Sequence, residues 1–160
     1  MIGLPGAGKT TVGRLLADEL DWKLFDCDAA FEAEAGAAIA DWVAEHGWSA
    51  FREREGEILV AVLALDRCVI STGGGAVEDK KNRDALAVSA TVVWLDAPPE
   101  VLAARVDTAK DRPLLAQLPG PRLAELARWR NPLYAALADI RVDATVPASE
   151  VAARIVGSLR

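Results

Sequence analysis

Histidine is almost missing from this chain. His46 is the single histidine among 160 residues, and it sits beside Gly47 in a polar turn. Histidine is the side chain whose ordinary titration falls near neutral pH, so a mechanism built on a histidine base has little to draw on, and His46 reads as solvated and noncatalytic. Cysteine is scarce as well. Cys27 and Cys68 lie far apart and match no metal or redox spacing, which fits two reduced thiols in a cytosolic protein. No apolar run approaches the ~20 residues that span a bilayer, and the start shows no charged lead, apolar run and cleavage site of a secretion signal. Runs of Lys or Arg are absent too. The 18 cationic side chains face 24 acidic ones, a net charge of −6, which argues against nucleic acid as the main partner. The five tryptophans are dispersed without interleaved basic residues, so they read as packing rather than as a base-stacking platform. What remains is 52% hydrophobic and 26% charged, the composition of one globular domain, residues 1–160, with a real core.

The strongest local signal is at the front. Gly3 to Thr11 reads Gly-Leu-Pro-Gly-Ala-Gly-Lys-Thr-Thr and fits G-x-x-x-x-G-K-[ST], the phosphate-cradling P-loop. Small residues let successive backbone N–H groups converge on phosphate oxygens. The helix that follows adds its positive N-terminal end. Gly6, Ala7, Gly8, Lys9, Thr10 and Thr11 are therefore candidates for binding ATP, with Lys9 on the outer phosphates and the Thr10 hydroxyl on Mg²⁺. A glycine-rich turn before an ordinary helix is the plainer alternative, but it does not require Gly, Gly, Lys and Thr at fixed offsets.

Periodicity predicts helices over 11–20, 29–35, 39–45, 48–65, 80–88, 98–106, 123–138 and 148–159, the seventh bent near Pro132. Strands are expected over 22–25, 68–71, 91–95 and 140–142. Residues 107–122 hold three prolines, a glycine and no periodicity, which suggests a mobile lid. Alternating strands and helices imply a parallel sheet covered on both faces, with ligands beyond the carboxyl ends of the strands.

Asp26 and Asp28 are two apart, which on an extended segment points both carboxylates to one side. One can hold water on a metal while the other meets an acceptor hydroxyl. An aspartate-rich surface turn is the alternative. Arg52 and Glu55 are one helical turn apart, either a solvated ion pair or a guanidinium aimed at an anionic substrate. Gly73, Gly74 and Gly75 follow a strand and make sense where a ligand approaches the backbone closely. Arg112 lies in the expected lid and can close over transferring phosphate. Arg130 stands near a proline break, and Arg105 could stack on an adenine face. Any one of these arginines is more often a surface charge.

Taken together these segments resemble the shikimate kinases, P-loop proteins of the nucleoside-monophosphate-kinase-like group. The resemblance rests on Gly3–Thr11, Asp26-Cys27-Asp28, Phe51-Arg52 with Glu55, Ser71 to Val77, Arg112-Pro113-Leu114-Leu115 and Arg130 to Tyr134, in the family's order. It implies a three-layer α/β/α fold with a five-stranded parallel sheet, a substrate-binding helical segment near residues 29–57 and a lid. It also implies transfer of the ATP γ-phosphate to the 3-hydroxyl of shikimate on the route to chorismate. Catalytic roles would fall to Lys9, Asp28 and Arg112. ATP would be held by the P-loop, Arg105 and Arg112, and Mg²⁺ by Thr10 with Asp26 through water. Shikimate would be held by Asp28, Arg52, Gly73, Gly74, Gly75 and Arg130. A cytoplasmic monomer is expected.

Two departures stand out. Only Met1 and Ile2 precede Gly3, so the family's opening strand is largely missing, and the expectation is that Met1 is internal to a longer chain lacking about five or six apolar residues here. The stretch Ala144 to Pro147, which lines the adenine in the family, is also short. The alternatives are another small-metabolite kinase, such as a gluconate kinase, and a nonenzymatic nucleotide-binding relative.

Overall fold

The computed structural model describes residues 1–107 and 120–159. The expected lid falls almost wholly on residues 108–119, so Arg112 lies outside the described residues. In chain order the elements are α1 (Lys9–Leu20), β1 (Lys23–Asp26), α2 (Cys27–Ala35), α3 (Ile39–Leu63), β2 (Cys68–Ser71), a 3-10 turn (Ala76–Glu78), α4 (Lys80–Ser89), β3 (Val93–Asp96), α5 (Pro99–Asp107), α6 (Gly120–Leu137), β4 (Ile140–Asp143) and α7 (Ala148–Ser158).

The strands form two parallel pairs. In the first, β1 runs beside β2 with Phe25 opposite Ile70; in the second, β3 runs beside β4 with Leu95 opposite Val142. Met1 and Ile2 fill the gap between the pairs. The Met1 amine donates to Ile70 O at 2.5 Å, and the Thr72 N–H donates to Met1 O at 3.2 Å. On the other side Ile2 N–H donates to Val93 O at 2.9 Å and Leu95 N–H to Ile2 O at 3.0 Å. The short first strand therefore keeps the place that the sheet requires, and the neighbouring edges are paired there. Ile2 is fully buried, worth ~1.5–3 kcal/mol by removal of its side chain from water. Met1 is buried with it.

Local chemistry sets the boundaries. Helix α1 starts after Gly8, whose φ of 87° is left-handed, and stops at Asp21, also left-handed. Its buried residues Val12, Gly13, Leu16 and Ala17 recur at helical spacing; Leu15 is exposed. Gly13 admits close approach to the sheet, because a Cβ there would stand 2.6 Å from Met1 Cε and 2.8 Å from Leu24 Cδ1. Helix α2 begins at Cys27, two residues before the predicted start, because Asp26 caps it. Helices expected over 39–45 and 48–65 run together as α3, broken at Gly47 with φ 84° and ψ 163°. Helix α6 carries Pro132 inside it. α1 packs against β1, β2 and α7, α7 against β4, α3 against α4, and α5 against α6. The result is an α/β fold with a parallel sheet between helices.

Candidate active site

A cleft of about 1150 Å³ opens beyond the carboxyl ends of the strands, where parallel sheets bind ligands. It gathers the P-loop residues Gly6 to Thr11, both Asp26 and Asp28, Thr72 and Gly74, and Arg105 with Ala144, Val146 and Pro147. Elements distant in sequence meet here because the strands run parallel, so their carboxyl ends face one side.

The P-loop bends through Gly3, Gly6 and Gly8, all at positive φ, where a side chain would be strained. The N-terminus of α1 receives no side-chain cap and has no acidic residue in its first turn, so its amides and positive dipole end suit an anion. Lys9 Nζ donates to Gly3 O at 2.8 Å and Leu4 O at 3.2 Å, which lays the lysine across the loop.

The Asp26–Asp28 pair differs from expectation. The two residues do not share an extended segment. Asp26 is the last residue of β1 and the N-cap of α2, with Oδ1 accepting from the N–H groups of Asp28 at 3.1 Å and Ala29 at 3.2 Å; Asp28 sits in the first turn of that helix. N-capping by aspartate satisfies otherwise orphaned helix donors and outweighs strand continuation. The two carboxylates nonetheless line one cleft. The other oxygen of Asp26, Oδ2, accepts from Thr10 Oγ1 at 2.6 Å. This contact turns the hydroxyl lone pairs away from Asp26, and a hydroxyl beside a carboxylate is the hard-oxygen donor set that Mg²⁺ takes. Among the described residues no cluster of three His, Cys, Asp or Glu side chains exists.

The glycine triplet is where the remaining candidates meet. A Cβ on Gly73 would collide with Glu55 Oε1 and stand 2.8 Å from Asp28 Oδ1; one on Gly74 would lie 3.2 Å from Pro5 Cδ and 3.4 Å from Arg130 Nη1; one on Gly75 would collide with the Arg52 guanidinium. The glycines thus let α3, α6, α2 and the P-loop close on a single turn. Arg52 and Arg130 do not line the cleft itself; they stand against Gly75 and Gly74 of this turn.

Both arginines are held by carboxylates. Arg52 Nη1 donates to Glu55 Oε2 at 2.6 Å, and Glu55 is buried. Burial raises the Glu55 pKa against the lowering pull of Arg52. The Arg52 guanidinium also lies 5.5 Å from the Trp48 ring centre and 5.2 Å from that of Phe51. Arg130 Nε donates to Glu78 Oε1 at 2.8 Å. Tyr134, fully buried, donates its hydroxyl to Gly74 O at 2.6 Å, and burial raises its pKa. Cys27, between the two aspartates, is pushed up to about 12, first by burial and then by those carboxylates, so its thiol is inert at neutral pH.

Arg105 Nη2 donates to Ala144 O at 2.7 Å and Thr145 O at 3.3 Å, which ties α5 to the short stretch expected beside the adenine. His46 is exposed, stacked on Trp42 at 4.3 Å, and apart from the cleft lining. Sequence reasoning assigned no role to Glu78 or Tyr134. Tyr134 was discoverable, since it lies one turn beyond Arg130 on the same helical face. Nothing in the spacing marks Glu78.

Comparison with known proteins gives the same direction. The sequence profile of the family described as shikimate kinase matches residues 5–160. A shikimate kinase from Symbiobacterium thermophilum is 47% identical over 146 residues, covering 89% of this chain and 83% of the relative. The structure titled as a shikimate kinase from Acinetobacter baumannii in complex with shikimate is 36% identical, with a TM-score of 0.91 over 99% of this chain and 89% of that one. A gluconokinase from Sinorhizobium meliloti is 19% identical over 99% of this chain and 92% of that one, with a TM-score of 0.59, a likeness of fold alone. From the first loop to the last helix, then, this chain belongs to the shikimate kinase family.

Proposed function

We propose that this chain phosphorylates shikimate at the expense of ATP, with the γ-phosphate passing to the 3-hydroxyl. The observation that carries the reading is the convergence of Asp28, Arg52 and Arg130 on the glycine triplet beside the P-loop. A carboxylated polyol needs such a surface: two guanidiniums for its anion and one carboxylate for its hydroxyls.

In this reading the P-loop amides and Lys9 hold the ATP phosphates, and Arg105 with residues 144–147 borders the base. Asp28 orients the acceptor hydroxyl and takes its proton, since a positioned carboxylate contributes general-base catalysis. Arg52 and Arg130 grip the substrate carboxylate, and the Gly73, Gly74 and Gly75 backbone lies against the ring. Thr10 would hold Mg²⁺, with Asp26 acting through water. When bound, the ion neutralises charge on the β- and γ-phosphate oxygens. Arg112 would close over the phosphates with the lid, a role supported by its sequence motif. A monomer in the cytoplasm completes the proposal; no helix among the described residues is long and apolar enough to cross a membrane.

The test is a coupled assay of ADP release from the purified chain with shikimate, and with gluconate in parallel. Turnover with shikimate and a product phosphorylated at the 3-position by NMR are expected. Turnover with gluconate alone would favour the other small-metabolite reading, and ATP binding without turnover the nonenzymatic one.

A further inference from the structure

Glu78 places a third carboxylate among the arginines of the acceptor side, which is unexpected in a site meant for an anion. Its backbone is pinned. Glu78 N–H donates to Gly75 O at 3.0 Å. Arg83 Nη1 donates to Val77 O at 2.6 Å and Glu78 O at 3.0 Å, and the buried Asn82 donates through Nδ2 to Ala76 O at 3.0 Å. From this fixed turn Oε1 accepts from Arg130 Nε at 2.8 Å, while Oε2 lies 3.8 Å from Arg52 Nη2. One carboxylate therefore spans guanidiniums carried by two different helices.

We infer that Glu78 is a positioning residue that holds Arg130, and through it the spacing of the Arg52–Arg130 pair, for the substrate carboxylate. The inference rests on the reading that these arginines grip shikimate. The Arg130 side chain is 9% exposed, and a cation so far from water needs a partner. Glu78 takes the Nε edge and leaves the Nη1 side toward Gly74. A guanidinium fixed at one edge keeps its plane, and the remaining N–H groups can meet a second anion. Glu78 also offsets repulsion between the two cations before substrate arrives. Its negative charge weakens attraction for the incoming carboxylate, but loss of a fixed, charge-assisted contact to a nearly buried arginine is the larger effect.

Steady-state kinetics on the full chain test this, because KM is independent of the fraction folded. Glu78→Ala should raise KM for shikimate about tenfold, the loss of one charge-assisted contact, with kcat and KM for ATP little changed. Glu78→Gln should recover most of the affinity, because its amide oxygen still accepts from Arg130 Nε. Glu78→Asp keeps the charge but is one methylene short, and should recover little. An unchanged or lowered KM for shikimate in Glu78→Ala, an equal rise for both substrates, or better recovery by Asp than by Gln would overturn the inference. Absence of turnover by the unaltered chain would instead overturn the functional reading beneath it.

Discussion

Thr10 and Asp26 are joined side chain to side chain at 2.6 Å, so the first turn of α1 and the end of β1 share one hydrogen bond at the mouth of the cleft. The same aspartate caps α2 with its other oxygen. Its two duties can be separated. Asp26→Asn keeps an N-cap of equal quality but removes the charge proposed to support the cation. It should raise the Mg²⁺ concentration for half-maximal rate by roughly 10–100-fold, the usual effect of losing an outer-shell partner, with the thermal midpoint nearly unchanged. Asp26→Ala should show the same metal effect and also lose about 1 kcal/mol of stability. A Mg²⁺ titration at fixed ATP, with a thermal melt of each variant, checks both.

Asp28→Asn preserves size and helix position while removing the proposed proton acceptor. Turnover should fall by roughly 10²–10⁴-fold, while ATP affinity, measured by titration calorimetry, stays within a factor of about two. Turnover at the original level would remove Asp28 from the chemistry.

Gly75→Ala places a methyl group where the Arg52 guanidinium now lies. Arg52 must move, so shikimate affinity should drop while the ATP side is spared. Gly157→Ala is the matched control. It lies inside α7 with no atom within 4 Å of its new Cβ, and it should stabilise the chain by ~0.5–1 kcal/mol through helix propensity without altering either KM.

Burial of Glu55 makes stability depend on pH. Its pKa is raised on folding, first by burial, so above the ordinary carboxylate range the folded chain binds more protons than the unfolded one. The associated stability is present at low pH and is lost as pH rises through the raised folded value. Glu55→Gln removes the titrating group: urea midpoints of this variant should vary less between about pH 4 and pH 7 than those of the unaltered chain.

Much of this site could be read from residue types at fixed offsets. The left-handed bend at Gly8 and the helix start at Lys9 are local features, which a local motif encodes. The strand and helix limits came within a few residues, because β-branched runs such as Thr91 to Val93 and the periodic face of α1 are also local signals. What escaped depends on contacts between distant segments. The Asp26–Asp28 pair looked extended, and only capping decides that the chain turns into a helix between them. Glu78 gained its significance from Arg130, which lies on another helix and cannot be found from spacing. The pairing of Met1 and Ile2 with both neighbouring strands is another such contact.

That pairing has a mechanical meaning. The acceptor-side groups Asp28 and Gly73–Gly75 hang from the β1–β2 pair, while the Arg105 and Ala144 side hangs from β3–β4. Two residues of main chain stitch these halves edge to edge. A change at this seam would shift one half of the cleft against the other with every side chain of its lining still in place.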